Sequence, residues 1–457
     1  MVRNKLTPPN RMLMQLQLRV AAELRCSMWW ATDHSDFSAL GPPCLSTILV
    51  PAANVGSLYG TFYKTAFQQK EVSEGALDLM SAHPLIDTHV DLPLILRASA
   101  HTDIDNRSNP VEAAEQIAGP YPGHVDVPKL RQGKLGGIFM AVRVPCRSGT
   151  DYFLPSDDVR DALEQVDQIQ LIMEEKEFQY ARSSEDNLKA FKAGKFATFI
   201  GVEGGHMLGN SLSILCIWAQ LGVRYDTLTH TGYNAFASSA GSGDPLDPLY
   251  IDGLTKLRLI GTVMIDLSHV SDETMRQSIQ ISKAHALFFH SAARAWWDHP
   301  RNIPDDVLDM IRSEEGKNNG VIHCVFCDKF VGLEDPTLQK VADLIEYIAK
   351  NCGRAHVGIG SDFDGIDYSV EGLEDATKYP DLISEMMARG WTDEEIIGLM
   401  GGNLMRVLDE VDRVQQRSKD QEPSGAVYDQ RTDDNLPGLA RGHLEERSNN
   451  LTLDIED

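Results

Sequence analysis

Leu85-Ile86-Asp87-Thr88-His89-Val90-Asp91 is a short apolar run that ends in a His-x-Asp pair. On a strand, residues two apart point to the same side. His89 and Asp91 therefore project together at the strand's C-terminal end. An imidazole beside a carboxylate suits a borderline divalent ion such as zinc. The pair alone is weak, since His-x-Asp arises by chance in many chains. The rest of the sequence gives it weight.

From about residue 74, short apolar runs alternate with amphipathic, charge-rich segments, the signature of βα repeats and a parallel sheet. The strand candidates are Leu85–His89, Gly137–Val144, Phe196–Glu203, Tyr225–His230, Thr262–His269, Ala286–His290, Val321–Phe326 and His356–Asp362. Helices are expected from Ser156-Asp157-Asp158, as a capping start, through Tyr180, and over Asn210–Leu221, Ser271–Lys283, Pro304–Ser313 and Pro336–Asn351. Pro380–Arg389, Thr392–Met400 and Asn403–Val411 follow the last strand. Eight such units over about 330 residues predict an α/β fold, a (β/α)8 TIM barrel with insertions. Residues 1–73 show no sustained periodicity and read as a leader or poorly ordered extension. The barrel occupies 74–411, and 412–457 reads as a flexible acidic tail.

The 457 residues are 42% hydrophobic and 24% charged, enough apolar material for a large core. A formal charge of −25 argues against a nucleic-acid partner, because phosphates need a basic surface. The seven cysteines are scattered, and Cys324-x-x-Cys327 lies in an apolar run, which reads as buried and inert. No stretch reaches the length of a spanning helix, the run around Leu40–Tyr59 being broken by Pro42, Pro43 and Pro51. The Arg-containing, acid-poor start faintly resembles a transit peptide, and the sequons at Asn106 and Asn450 carry little information. Without a clear signal peptide or GPI signal, a cytoplasmic location is the expectation.

In a parallel barrel the active site lies at the C-terminal ends of the strands. Here those ends carry His89-x-Asp91, Glu203 with His206, His230, Asp266 with His269, His290, and Asp362 with Asp364. A single such residue is more often a hydrogen-bonded neighbour than a ligand. Six polar ends of eight converging on one mouth would repel one another without a cation. The cluster reads as a metal site. Three His and two carboxylates exceed the ligands of one open catalytic zinc, so two ions are expected. Glu203 could bridge them, a hydroxide held between them would be the nucleophile, and Asp362 would be free to shuttle protons.

Residues 81–410 resemble the membrane (renal) dipeptidases, dinuclear zinc peptidases with a barrel of the amidohydrolase type. The resemblance rests on Ile86-Asp-Thr-His-Val-Asp-Leu-Pro93, Ile200-Gly-Val-Glu-Gly-Gly-His206, Arg224-Tyr-Asp-Thr-Leu-Thr-His230 and Met264-Ile-Asp-Leu-Ser-His-Val-Ser271. Phe289-His-Ser291, Pro300-Arg-Asn-Ile-Pro-Asp-Asp306, Gly358-Ile-Gly-Ser-Asp-Phe-Asp-Gly365, Gly372-Leu-Glu-Asp375 and Lys378-Tyr-Pro-Asp-Leu382 complete it. It implies that His89 and Asp91 hold one zinc, that His269 and His290 hold the other, and that Glu203 bridges. It implies that His230 polarises the substrate carbonyl, that Arg301 holds the substrate's C-terminal carboxylate, and that Asp362 is the acid/base. By position alone Arg301 reads as a surface cation flanking a helix. His206 and Asp364 are expected to orient neighbours rather than to ligate.

Some features depart from the family. Thr231-Gly232-Tyr233-Asn234 follows His230 where Asn or Cys is usual, and Cys146 lacks the cysteine that would pair with it near Gly232. Gly253–Gly261 looks too short for the helix expected before the fifth strand, which puts the placement of His269 in question. The expected activity is hydrolysis of dipeptides to free amino acids. The alternatives are a related amidohydrolase acting on a Cys-Gly or other small amide in glutathione-conjugate or secondary metabolism, or an impaired barrel. The expected partners are a dipeptide substrate and, by resemblance, a second copy in a homodimer.

Overall fold

The computed structural model describes residues 72–99, 123–146, 156–240, 263–418 and 420. The strands are β1 (Leu85–Val90), β2 (Leu135–Val142), β3 (Phe178–Tyr180), β4 (Phe196–Glu203), β5 (Val223–Thr227), β6 (Met264–Asp266), β7 (Leu287–Ser291), β8 (Val321–Cys324) and β9 (Val357–Ile359). Eight pair side by side in the order β1-β2-β4-β5-β6-β7-β8-β9, every pair parallel. Beyond β9 the chain returns to β1. The Asp91 N–H donates to Phe363 O at 2.9 Å and the Asp362 N–H to His89 O at 3.1 Å. The result is the expected TIM barrel.

The eight expected strands all form, and for a physical reason. A parallel strand is covered on both faces, so it reads as an unbroken apolar run, and every residue of β2 and of β4 is buried. Phe139, Phe199, Tyr225 and Phe289 come from four strands and stack on one another, with Phe139–Phe199 and Tyr225–Phe289 centroids 4.4 and 4.1 Å apart. They fill the interior beneath the site.

Several boundaries differ from expectation. The helix expected through Tyr180 is Asp158–Glu174, with Asp157 at its N-cap making no side-chain cap bond. The chain then extends as β3, which pairs with the first half of β4, whereas β5 pairs with the second half. One edge of β4 is thus shared between two short strands, and a three-residue strand is too short to show a period. The helix expected over Pro304–Ser313 is only Asp305–Leu308. The last helix runs past Val411 to Ser418, with Val414 buried and Arg224 paired to Asp412 at 2.6 Å. The expected tail boundary therefore falls inside a helix. The short crossover at 253–261, the two sequons and nearly all of the N-terminal extension lie outside the described residues. Among the described residues no helix is long and apolar enough to cross a membrane.

Candidate metal centre

The polar strand ends meet at one mouth. His89 and Asp91 come from the end of β1, Glu203 ends β4, His230 follows β5, His269 follows β6, His290 lies in β7 and Asp362 follows β9. The His89 Nε2 lies 3.4 Å from Asp91 Oδ2 and 3.5 Å from Glu203 Oε1. Glu203 Oε1 is also 3.0 Å from His269 Nε2 and 3.1 Å from His290 Nε2. Those two imidazole nitrogens are 2.9 Å apart. Ligands on a tetrahedral zinc at about 2.0–2.1 Å stand roughly 3.3 Å from each other, so the spacing is that of a coordination shell.

Hydrogen bonds do not occupy the donors. His89 Nε2, both Asp91 oxygens and Glu203 Oε2 are buried without hydrogen-bond partners. Arg143 Nε is an ion-pair neighbour of Asp91 Oδ1 and Glu203 Oε2 alone. That leaves His89 Nε2 and Asp91 Oδ2 in a costly arrangement unless a cation satisfies them. Gly365 supports the fit, since a Cβ there would lie 2.0 Å from Asp91 Oδ2 and 2.6 Å from Asp362 Oδ1. Three ligand groupings emerge: His89, Glu203 and His290; Glu203, His230 and His269; His89, Asp91 and Asp362. Glu203 belongs to two of them, as a bridging carboxylate would. His89 stands with Asp91 in one grouping and with His290 in another, and His269 and His290, in separate groupings, both face Glu203 Oε1. The residues fit a metal centre.

Buried carboxylates hold the strand ends in place. Asp87 Oδ1 accepts from the Ser361 N–H at 2.9 Å and Oδ2 from the Tyr379 hydroxyl, fixing β1 to the end of β9. Asp266 Oδ1 accepts from the Ser268 and Phe289 N–H groups, each at 2.9 Å, and Oδ2 from the Thr227 hydroxyl at 2.6 Å. Asp266 thus ties β5, β6 and β7 together just below His269 and His290. The Tyr225 hydroxyl sits 2.8 Å from His89 Nδ1, which leaves Nε2 to face the cluster. His269 and Asp362 adopt left-handed backbone at φ 66°, and Asp364 at 65°. Such strained backbone collects at functional sites.

The electrostatics follow from burial and close charges. Burial works against the charged form of His89, but the carboxylates of Glu203 and Asp91 outweigh it and raise its pKa. Burial alone would raise Glu203, yet His89, His230 and His269 hold it well down. Burial raises Asp362 well above the usual carboxylate range, with Asp91 and Glu203 adding to it against His89 and Arg301. Burial lowers both His269 and His290, which favours the neutral imidazole that ligates metal.

Arg301 is not a surface cation. It is only 6% exposed. Its guanidinium donates to the His290 carbonyl at 3.3 Å and lies 5.2 Å from the Phe330 ring centre. Its Nε and one Nη are buried without partners. His206 donates to or accepts from neither cluster carboxylate; its Nε2 sits 2.9 Å from Val144 O and its Nδ1 3.7 Å from Cys146 Sγ. Asp364 takes the His124 N–H at 2.6 Å. Cys146, whose predicted family partner is missing, lies 3.9 Å from His230 Nδ1. Burial would raise its thiol, but hydrogen bonds to His206 and His230 bring it down to about 5. Cys324 and Cys327 are buried, as expected.

Two residues of the mouth escaped the sequence reading. Tyr225 was visible only as a strand residue. Arg143 follows β2, one of the strand ends that carries no His, Asp or Glu, and a search for ligand types passes over a cation. Its Nε lies 3.3 Å from Asp91 Oδ1 and an Nη 3.3 Å from His230 Nε2.

A TIM barrel with His and carboxylate side chains converging at its C-terminal mouth defines a metal-dependent hydrolase of the amidohydrolase type. The membrane dipeptidase family, peptidase family M19, matches residues 73–422, and the chain belongs to it as a metallo-dipeptidase. It is 37% identical over 355 residues to dipeptidase verJ of Clonostachys rogersoniana, covering 76% of this chain and 88% of that one. It is 36% identical over 381 residues to dipeptidase tcpJ of Claviceps purpurea, covering 76% and 86%. Among solved structures, the probable dipeptidase PvdM of Pseudomonas aeruginosa shares the fold at a TM-score of 0.60 and 24% identity, covering 76% of this chain and 99% of that one. A metallopeptidase of Rhodobacter sphaeroides bound to a phosphinate mimic of L-Ala-D-Ala does so at 0.62 and 22%, covering 72% and 99%.

Proposed function

We propose that the chain hydrolyses dipeptides with two zinc ions held by His89, Asp91, Glu203, His269 and His290, Glu203 lying between them. The observation that carries this reading is the set of buried donors without hydrogen-bond partners at coordination spacing, beside a buried guanidinium whose Nε and one Nη have no partner. Bound zinc supplies Lewis acidity and a water acidic enough to ionise near neutral pH. Arg301 holds the substrate's C-terminal carboxylate through its free guanidinium edge. His230, 8% exposed at the mouth, steadies the carbonyl oxygen as charge develops there. Asp362 stands 3.9 Å from His89 Nε2. It takes the proton from the attacking water and gives it to the leaving amine.

The test is metal content by elemental analysis, with hydrolysis of a dipeptide panel before and after chelation. About two zincs per chain and activity that chelation removes and zinc restores would support the reading. Folded, zinc-loaded protein that cleaves none of the panel would sink it.

A further inference from the structure

Arg143 sits at the edge of the carboxylate–imidazole cluster. Its backbone is clamped to the helix Asp158–Glu174, the N–H donating to Gln165 Oε1 at 3.1 Å and the carbonyl accepting from Gln165 Nε2 at 2.7 Å. Its Nε faces Asp91 Oδ1 at 3.3 Å and Glu203 Oε2 at 3.8 Å, and an Nη faces His230 Nε2 at 3.3 Å. The other Nη has no partner among the described residues, and the side chain is 22% exposed. One edge is therefore tied to the cluster and the other opens to the mouth.

Its place in the ring matters. β2 is second and β7 sixth in the order of eight, so their ends are diametrically opposite. Arg301 is held at the end of β7 by the His290 carbonyl. Two guanidiniums therefore face each other across the carboxylate–imidazole cluster. Each senses both Glu203 and Asp362.

We propose that Arg143 is a specificity residue that favours dipeptides with an acidic side chain on the N-terminal residue. This rests on the dipeptidase reading above, with the C-terminal carboxylate on Arg301. The scissile bond then lies over the cluster, and the N-terminal residue is directed to the β2 side. A neutral side chain there would leave the substrate's own ammonium near a guanidinium that meets Asp91 and Glu203 through its Nε and has one Nη open. A carboxylate would offset that repulsion and meet the open edge of a planar fork. One charge-assisted contact of this kind is worth about ten- to hundredfold in affinity.

The test is calorimetric titration of zinc-loaded protein with two phosphinate dipeptide mimics, one bearing a propionate and one a methyl group at the N-terminal position. Wild type should bind the propionate mimic at least tenfold more tightly, and Arg143→Gln should collapse that ratio. Equal affinities in wild type would overturn the proposal. So would an equal loss for both mimics in the variant, which would make Arg143 only an orienter of Asp91 and His230. Turnover of Glu-Ala and Ala-Ala, measured in parallel, reports separately on the activity. Absent turnover with Arg143-dependent selective binding would refute the dipeptidase reading and leave the anion recognition standing.

Discussion

Replacing Asp226 with asparagine should stabilise the barrel by an amount that grows with pH. Asp226 lies in β5 between Tyr225 and Thr227, and both its carboxylate oxygens are buried without hydrogen-bond partners. Burial pushes its pKa up to about 8, with a pull downward from His206 and a push upward from Asp266. In the unfolded chain the same group ionises near 4. Below about pH 4 both states keep the proton, and no stability is lost through it. Between about 4 and 8 the unfolded chain releases its proton while the folded chain retains it. Stability then falls by about 1.4 kcal/mol per pH unit, and the loss levels off above about 8. The whole window amounts to roughly 5 kcal/mol. For a barrel of about 350 residues, unfolding entropy makes that about 7 °C in Tm. The assay is scanning calorimetry of wild type and Asp226→Asn at matched metal loading from pH 4.5 to 9. The gap in Tm should widen steadily to about pH 8 and then hold. A gap that stays flat across this range would refute the claim that Asp226 is buried, unpaired and protonated.

Other substitutions probe the site itself. Asp362→Asn should retain zinc by elemental analysis and lose about 10²- to 10⁴-fold in kcat; parallel loss of metal would make Asp362 a ligand instead. Tyr225→Phe removes the partner of His89 Nδ1 and should weaken metal affinity by about 10- to 100-fold in chelator competition, with little change in fold by circular dichroism. Gly365→Ala places a Cβ against Asp91 Oδ2 and Asp362 Oδ1, so bound metal and activity should fall together. Arg301→Ala should raise KM for free dipeptides far more than for their C-terminal amides, and an equal effect on both would show that the arginine does not hold the carboxylate.

Much of the barrel was legible because its strands are buried on both faces. Val202 and Phe199 inside an unbroken apolar run leave little choice of element. The residues that meet at the mouth were legible because His and carboxylates are scarce in such runs and recur at strand ends. What escaped did so for local reasons. Phe178-Gln179-Tyr180 is too short for a period and follows a helix without a break in composition. The last helix outran expectation because Asp409–Ser418 is dense in charge, and only Val411 and Val414 mark the face it buries. Arg143 carries the wrong charge for a metal search, and the role proposed for it depends on which strand stands opposite, knowledge that only the closed ring supplies.

The seam between β1 and the segment after β9 also sets an order of events in biogenesis. Ser361 reaches Asp87 across 274 positions of sequence, and the Asp362 N–H meets the His89 carbonyl over a similar span. Contacts that distant carry a large loop-closure cost and form late. A growing chain exposes His89 and Asp91 early, but the mouth stays open, without the Asp362 proposed as acid/base, until residues 361–365 have left the ribosome and docked. A partly made chain can therefore gather metal ligands without being able to cut peptides, and peptidase activity arrives only with the last turn of the ring.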